Sequence, residues 1–260
     1  MTYQNLLLER QGPIAVLTFN RPKVMNALNQ ETLKELSHAL DAVQADGELR
    51  GLILTGAGDK AFVAGADINE LAKMDPLGAK HLAHHGQTVL GKLETLGKPS
   101  IAMINGFALG GGLELALAAT LRTAANTARI GLPEVSLGII PGYGGTQRMA
   151  RIAGPGVARE WVLTGDMYSA EEGHRVGVIN RLFAPEALRE GTLKLMNTIL
   201  SRGPVAVRLA IETIRRGLNM SQAEGELIET DMFGLAATTL DMKEGMQAFL
   251  EKRPAAFKNR

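Results

Sequence analysis

Strand, glycine-rich loop and helix follow one another repeatedly as far as about residue 185, and that order limits what this chain can fold into. The opening reads as a hairpin: Asn5 to Glu9, a turn at Gln11-Gly12-Pro13, then Ile14 to Phe19. A helix follows, with Asn29 as its N-cap and Leu28 and Leu33 placed as a hydrophobic staple. Its Leu33, Leu36, Leu40 and Val43 recur at helical spacing and should face the core. Gly51 to Thr55 is an apolar strand, and a glycine-rich stretch runs from there through Gly65. The next helix spans about Gly78 to Leu96, ended by Gly97 and Pro99. Ile101 to Ile104 is a buried strand entering Asn105-Gly106 and the triple glycine 110–112. Such alternation argues for an α/β architecture. Beyond about Pro185 the chain turns to helix upon helix: 186–200, 204–216, from Ser221 onward, and 241–252. Ser221 and Glu224 form a capping-box pair, and no linker isolates the helical tail as a separate domain.

Two glutamates in apolar, glycine-rich settings are the candidates for chemistry. Glu114 follows Gly110-Gly111-Gly112-Leu113 and leads into Leu115-Ala116-Leu117; Glu134 stands in Gly131-Leu132-Pro133-Glu134-Val135. A carboxylate in such surroundings is penalised by desolvation unless hydrogen bonds or a partner offset it. Acid/base work on a buried substrate is one reason to keep it; compensating a helix dipole is the plainer alternative for Glu114. Three loops carry bare backbone that could approach a ligand: 61–68, 105–112 and 138–148. An amide at a helix N-terminus, as expected for Gly111, is a ready donor to a developing oxyanion.

Composition removes other classes. A formal net charge of +1 and 4% aromatic residues offer little to nucleic acid. Without cysteine there is no disulfide, thiolate metal site or cysteine nucleophile. The segment Met1 to Gly12 lacks the pattern of a signal peptide, and the longest uncharged stretch, Pro99 to Leu113, is too short to cross a bilayer. The expectation is a cytoplasmic protein with no membrane partner. Gly56-Ala57-Gly58-Asp59-Lys60-Ala61 matches the dinucleotide fingerprint, but extended chain follows where a helix is required. His81, His84 and His85 share a helix without the rest of a metal-ligand set, so a solvated or interfacial face is expected and no metal. No serine stands in a G-x-S-x-G setting.

The assembled motifs resemble the crotonase (enoyl-CoA hydratase/isomerase) family over nearly the whole chain. The carriers are 20–23 (NRPK) with 26–28 (NAL), 62–68 (FVAGADI), 105–114 (NGFALGGGLE), 131–134 (GLPE), 141–148 (PGYGGTQR), and 242–246 (MKEGM) with 249–253 (FLEKR). The resemblance implies a spiral of ββα turns in residues 1–195 that carries the acyl-CoA site. It implies a helical region, 196–260, that packs and builds trimers, often paired into hexamers. It also implies an oxyanion hole from the N–H groups of Ala66 and Gly111. Glu134 would donate a proton to the α-carbon, and Glu114 would orient and deprotonate a water. Gly142 resembles the glycine that helps position that water. Ala64 and the run Ala66, Asp67, Ile68 and Asn69 would follow coenzyme A, with Lys23, and Lys252 from a neighbouring subunit, on its phosphates. Many relatives carry lysine where Asn69 stands. Coenzyme A belongs to the substrate, so no separate cofactor is expected.

Hydratases of this family keep both glutamates, whereas double-bond isomerases usually need only the one matching Glu134. The expected activity is therefore reversible hydration of a 2-enoyl-CoA to a 3-hydroxyacyl-CoA, a reaction of fatty-acid β-oxidation. Isomerisation, or another acyl-CoA reaction, is the alternative. Some family members bind RNA, but the basic tail Lys252, Arg253, Lys258 and Arg260 is short and reads more simply as a solvated end or a phosphate contact.

Overall fold

The computed structural model describes residues 3–259. It opens with β1 (Leu6–Gln11) and β2 (Ile14–Phe19), paired antiparallel from Leu6 opposite Phe19 to Gln11 opposite Ile14. β1 runs two residues beyond the expected strand because Gly12, at φ +59°, turns the chain within two residues. Helix α1 (Gln30–Ala45) starts as its sequence indicates. The Asn29 side chain accepts the Thr32 N–H at 2.8 Å, and Leu28, Leu33, Leu36, Leu40 and Val43 are buried.

Three successive segments then repeat one plan. The first gives β3 (Gly51–Gly56), β4 (Ala61–Val63), the short α2 (Ile68–Leu71) and α3 (Pro76–Glu94). The second gives β5 (Ser100–Ile104), β6 (Phe107–Leu109) and α4 (Gly111–Ala118); the third gives β7 (Leu121–Ala125), β8 (Arg129–Gly131), a 3-10 turn (Pro133–Leu137) and α5 (Gly145–Thr164). In each, the first strand joins one sheet and the second strand joins another. The larger sheet runs β1-β2-β3-β5-β7 with β3, β5 and β7 parallel, and the smaller runs β4-β6-β8, also parallel. A chain that adds one parallel strand to each of two sheets per turn climbs as a ββα spiral, which is the expected architecture. α3 begins two residues early because Asp75 caps it by accepting the Gly78 N–H, and Pro76 suits its first position. Ala61, the last residue of the fingerprint match, opens strand β4 rather than a helix.

β9 (Met167–Ser169) then lies antiparallel on β8, α6 (Ala170–Arg175) follows, and β10 (Arg181–Phe183) closes the larger sheet beside β7. α7 (Leu188–Leu200) packs back on that sheet through Leu188, Thr192, Met196 and Leu200, one residue per turn. Gly51 makes room for it: a Cβ there would lie 2.6 Å from the Met196 sulfur. The division drawn from sequence at 195/196 therefore falls inside a helix that belongs to the spiral. Chain that leaves the spiral starts after Leu200, in α8 (Pro204–Gly217), α9 (Gln222–Ala237) and α10 (Leu240–Leu250). Ser221 and Glu224 form their capping box at the head of α9.

Candidate active site

Every residue of α4 is buried, Glu114 included. The helix is drawn deep into the fold by close approach: a Cβ on Gly112 would overlap the carbonyl of Val63 in β4. Its cap, Gly110, turns the chain at φ +51°, which only glycine adopts freely. Glu114 is 2% exposed, and its Oε1 accepts the N–H groups of Tyr143 at 2.8 Å and Gly145 at 2.6 Å. Both amides belong to the loop that opens α5, so that loop and α4 meet at one carboxylate. Arg148, a turn into α5, donates to the Tyr143 carbonyl and grips Glu94 with two bonds of 2.9 and 2.8 Å.

Glu134 sits in the 3-10 turn after β8, 8% exposed. Its Oε2 is buried with no hydrogen-bond partner among the described residues, and its Oε1 lies 2.9 Å from where a Cβ on Gly110 would stand. Both glutamates line one cavity of about 840 Å³. Burial pushes the Glu114 carboxyl up to about 7, with repulsion from Glu134 adding to it; the Gly145 and Tyr143 amides and Arg148 oppose the rise. Burial likewise lifts Glu134 to about 7. Repulsion between two acids is mutual, so the pair titrates as one unit. Two backbone amides and Arg148 favour charge on Glu114, and its own backbone N–H favours charge on Glu134.

The amides expected to bind an oxyanion border the same cavity. Leu28 donates to Gly65 O at 2.8 Å and Asp67 donates to Leu28 O at 2.7 Å, which brackets Ala66 and turns its own N–H away from that pairing. Gly111 is the first residue of α4, so its N–H has no partner within the helix. The Ala66 nitrogen lies 3.6 Å from the position of a Cβ on Gly111, which puts the two donors side by side.

Ala64, Ala66, Ile68, Gly111, Glu114, Glu134 and Gly142 thus come together around one space. Lys23, Asp67, Asn69 and Lys252 do not line it. Lys23 is exposed on the 3-10 turn Pro22–Val24, Asn69 is exposed and bonded to Asp67, and Lys252 is exposed beyond α10. The Asp67 side chain faces Arg21 instead, at 3.2 Å. Among the described residues no group of three or more His, Cys, Asp or Glu is arranged to hold a metal, and no helix is long and apolar enough to cross a membrane.

The sequence did not single out the Tyr143 side chain. It is 5% exposed and lies against α3 and the head of α4, where a Cβ on Gly86 would overlap it and one on Gly111 would stand 3.2 Å away. Gln87 donates to Gly142 O at 2.9 Å, tying α3 to the same loop. Gly86, a glycine inside a helical pattern, was the available sign of that close packing.

Comparisons with known proteins place the chain among relatives. The family described as enoyl-CoA hydratase/isomerase matches residues 9–260. A crotonyl-CoA hydratase from Syntrophomonas wolfei is 47% identical over 99% of both chains. A short-chain-enoyl-CoA hydratase from Clostridium acetobutylicum is 44% identical over the full length of both. The crystal structure of an enoyl-CoA hydratase from Bacillus anthracis superposes with a TM-score of 0.95 at 39% identity, covering 99% of this chain and 100% of that one.

Proposed function

The chain belongs to the enoyl-CoA hydratase/isomerase family, and on that premise we propose how its cavity works. The protein is an enoyl-CoA hydratase, a hydro-lyase that reversibly adds water across the 2,3 double bond of a 2-enoyl-CoA. The substrate's thioester oxygen is held by the N–H groups of Ala66 and Gly111, which strengthen as the oxygen gains enolate charge. Glu114, in its charged form, orients a water beside Gly142 and takes one of its protons as the oxygen bonds to the β-carbon. Glu134 gives its proton to the α-carbon. Passing a proton from Glu114 back to Glu134 restores the starting state, so nothing beyond water and the enoyl thioester is consumed. Ala64 and Ile68 border the path of coenzyme A, and Lys23, with Lys252 of a neighbouring copy, meets its phosphates.

The observation that supports this reading most directly is two buried carboxyls, both raised to about 7, on a cavity that also takes in Ala66 and Gly111. We further propose that the chain assembles as a trimer or a dimer of trimers. The support is the apolar surface of α8–α10, where Phe233 and Phe249 stand 77% and 83% exposed.

The test is hydration of crotonyl-CoA followed by loss of the enoyl absorbance. Glu134→Gln should lower kcat by about a thousandfold or more while coenzyme A binds within a few-fold of its original affinity. Unchanged turnover in this variant would remove the proposed proton donor.

A further inference from the structure

The Ala66 amide can serve the oxyanion only if its direction is fixed, yet it sits on a loop rather than in a regular element. What fixes it lies outside the cavity. The backbone turns left-handed at two consecutive non-glycine residues, Met25 (φ +52°) and Asn26 (φ +60°). The buried Asn26 side chain holds that turn: it accepts the Arg21 N–H at 3.0 Å and donates to Ala57 O at 3.1 Å and Ala61 O at 2.8 Å. The turn delivers Leu28 to the two hydrogen bonds that bracket Ala66. Arg21 then joins the two sides. Its guanidinium donates to Ala27 O, one residue before Leu28, and to Asp67 Oδ2 at 3.2 Å, one residue after Ala66. The other Asp67 oxygen accepts the Asn69 N–H at 3.1 Å, so this carboxylate is used on both sides.

We infer that Arg21 is a positioning residue for the hydration reaction: by clamping Ala27 and Asp67 it aims the Ala66 N–H at the thioester oxygen. The inference rests on the oxyanion role given to Ala66 above. The pair is mostly withdrawn from solvent, with side chains 17% and 15% exposed. In such a place charge–charge attraction is largely offset by lost hydration, so a buried ion pair adds little net stability over an apolar substitute. What a bifurcated guanidinium contributes instead is direction, because its donors are fixed in one plane. A small misaiming of an oxyanion donor weakens it in the transition state far more than in substrate binding.

The test combines kinetics with the infrared carbonyl stretch of bound butyryl-CoA carrying 13C at its carbonyl, a saturated thioester that cannot be hydrated. Hydrogen bonds to the carbonyl lower its frequency. In Arg21→Gln, kcat for crotonyl-CoA should fall by about tenfold to a hundredfold, with KM within about threefold, and the bound carbonyl should shift back toward its value in water. Arg21→Lys keeps the charge without the fork and should recover part of both signals. Asp67→Asn, which keeps an acceptor for Asn69, should reproduce the defect, and the double variant should be no worse than the poorer single one. Should Arg21→Gln fail to fold, Arg21→Lys and Asp67→Asn carry the same readings. A carbonyl shift and kcat equal to wild type in these variants would overturn the role of Arg21 alone. A wild-type protein that leaves the carbonyl frequency unshifted would instead overturn the oxyanion role of Ala66.

Discussion

The two carboxyls of the cavity carry opposite demands, which makes them testable by pH as well as by rate. Both folded-state values lie above the ordinary 4.5 of glutamate, at about 7. Between those limits the folded protein binds more protons than the unfolded chain, so stability falls as pH rises through the window. Below about pH 4.5 the penalty is absent, and above about 7 it is full. Glu114→Gln removes one of the two groups while its amide oxygen still accepts from Tyr143 and Gly145. It should therefore unfold at higher denaturant than wild type at pH 8, by at most on the order of 3 kcal/mol, with the gain vanishing near pH 4. Equal gains at both values would mean that ionisation is not the cause. Gly111→Pro isolates the oxyanion amide at the same scale. Proline suits the first position of a helix, so α4 should persist by circular dichroism while kcat drops about a hundredfold or more. The Tyr143 ring, 3.2 Å from the new Cβ, needs to yield by only a few tenths of an ångström. Retained activity would show that Gly111 N–H does not bind the oxygen.

Among the elements, two of the three glycines of α3, Gly86 and Gly91, have opposite meanings. Gly91 has nothing within 4 Å of a Cβ, so Gly91→Ala should stabilise the helix by about 0.5–1 kcal/mol in thermal or denaturant unfolding. At Gly86 the same change drives a methyl into the Tyr143 ring. That ring is confined by Gly111 on the other side, and the Tyr143 backbone holds Glu114. Gly86→Ala should lower kcat by about tenfold or more even where helix content is unchanged, and normal kcat would mean that the ring relaxes without disturbing the carboxylate. Sequence alone ranks the two glycines alike, since helix propensity knows nothing of an aromatic side chain that arrives 57 residues later. The caps at Asn29 and Ser221 were legible because a cap is local: donor and acceptor lie within three residues. The pairing of Asp67 with Arg21 was not, because the two residues are 46 positions apart.

At the scale of the whole molecule, α8–α10 leave Leu227, Phe233, Phe249 and Leu250 exposed, and exposed apolar residues of this kind are what support the proposed assembly. Light scattering should give a trimer or hexamer, and Phe249→Asp should shift it toward monomer; a wild-type monomer at micromolar concentration would refute the proposed assembly. The local order of elements, their caps and the buried face of α1 were determined by the sequence itself, because period, glycine placement and capping act over a few residues. The apolar settings of Glu114 and Glu134 marked them as candidates, and the motif resemblance supplied the fold family. Only the tertiary structure decided that α7 belongs to the spiral, that Tyr143 fills the gap between Gly86 and Gly111, and that Asp67 turns from the cavity toward Arg21. It also raised both carboxyls to about 7 by burying them, and the amides of Tyr143 and Gly145 reach Glu114 from about thirty residues further along the chain.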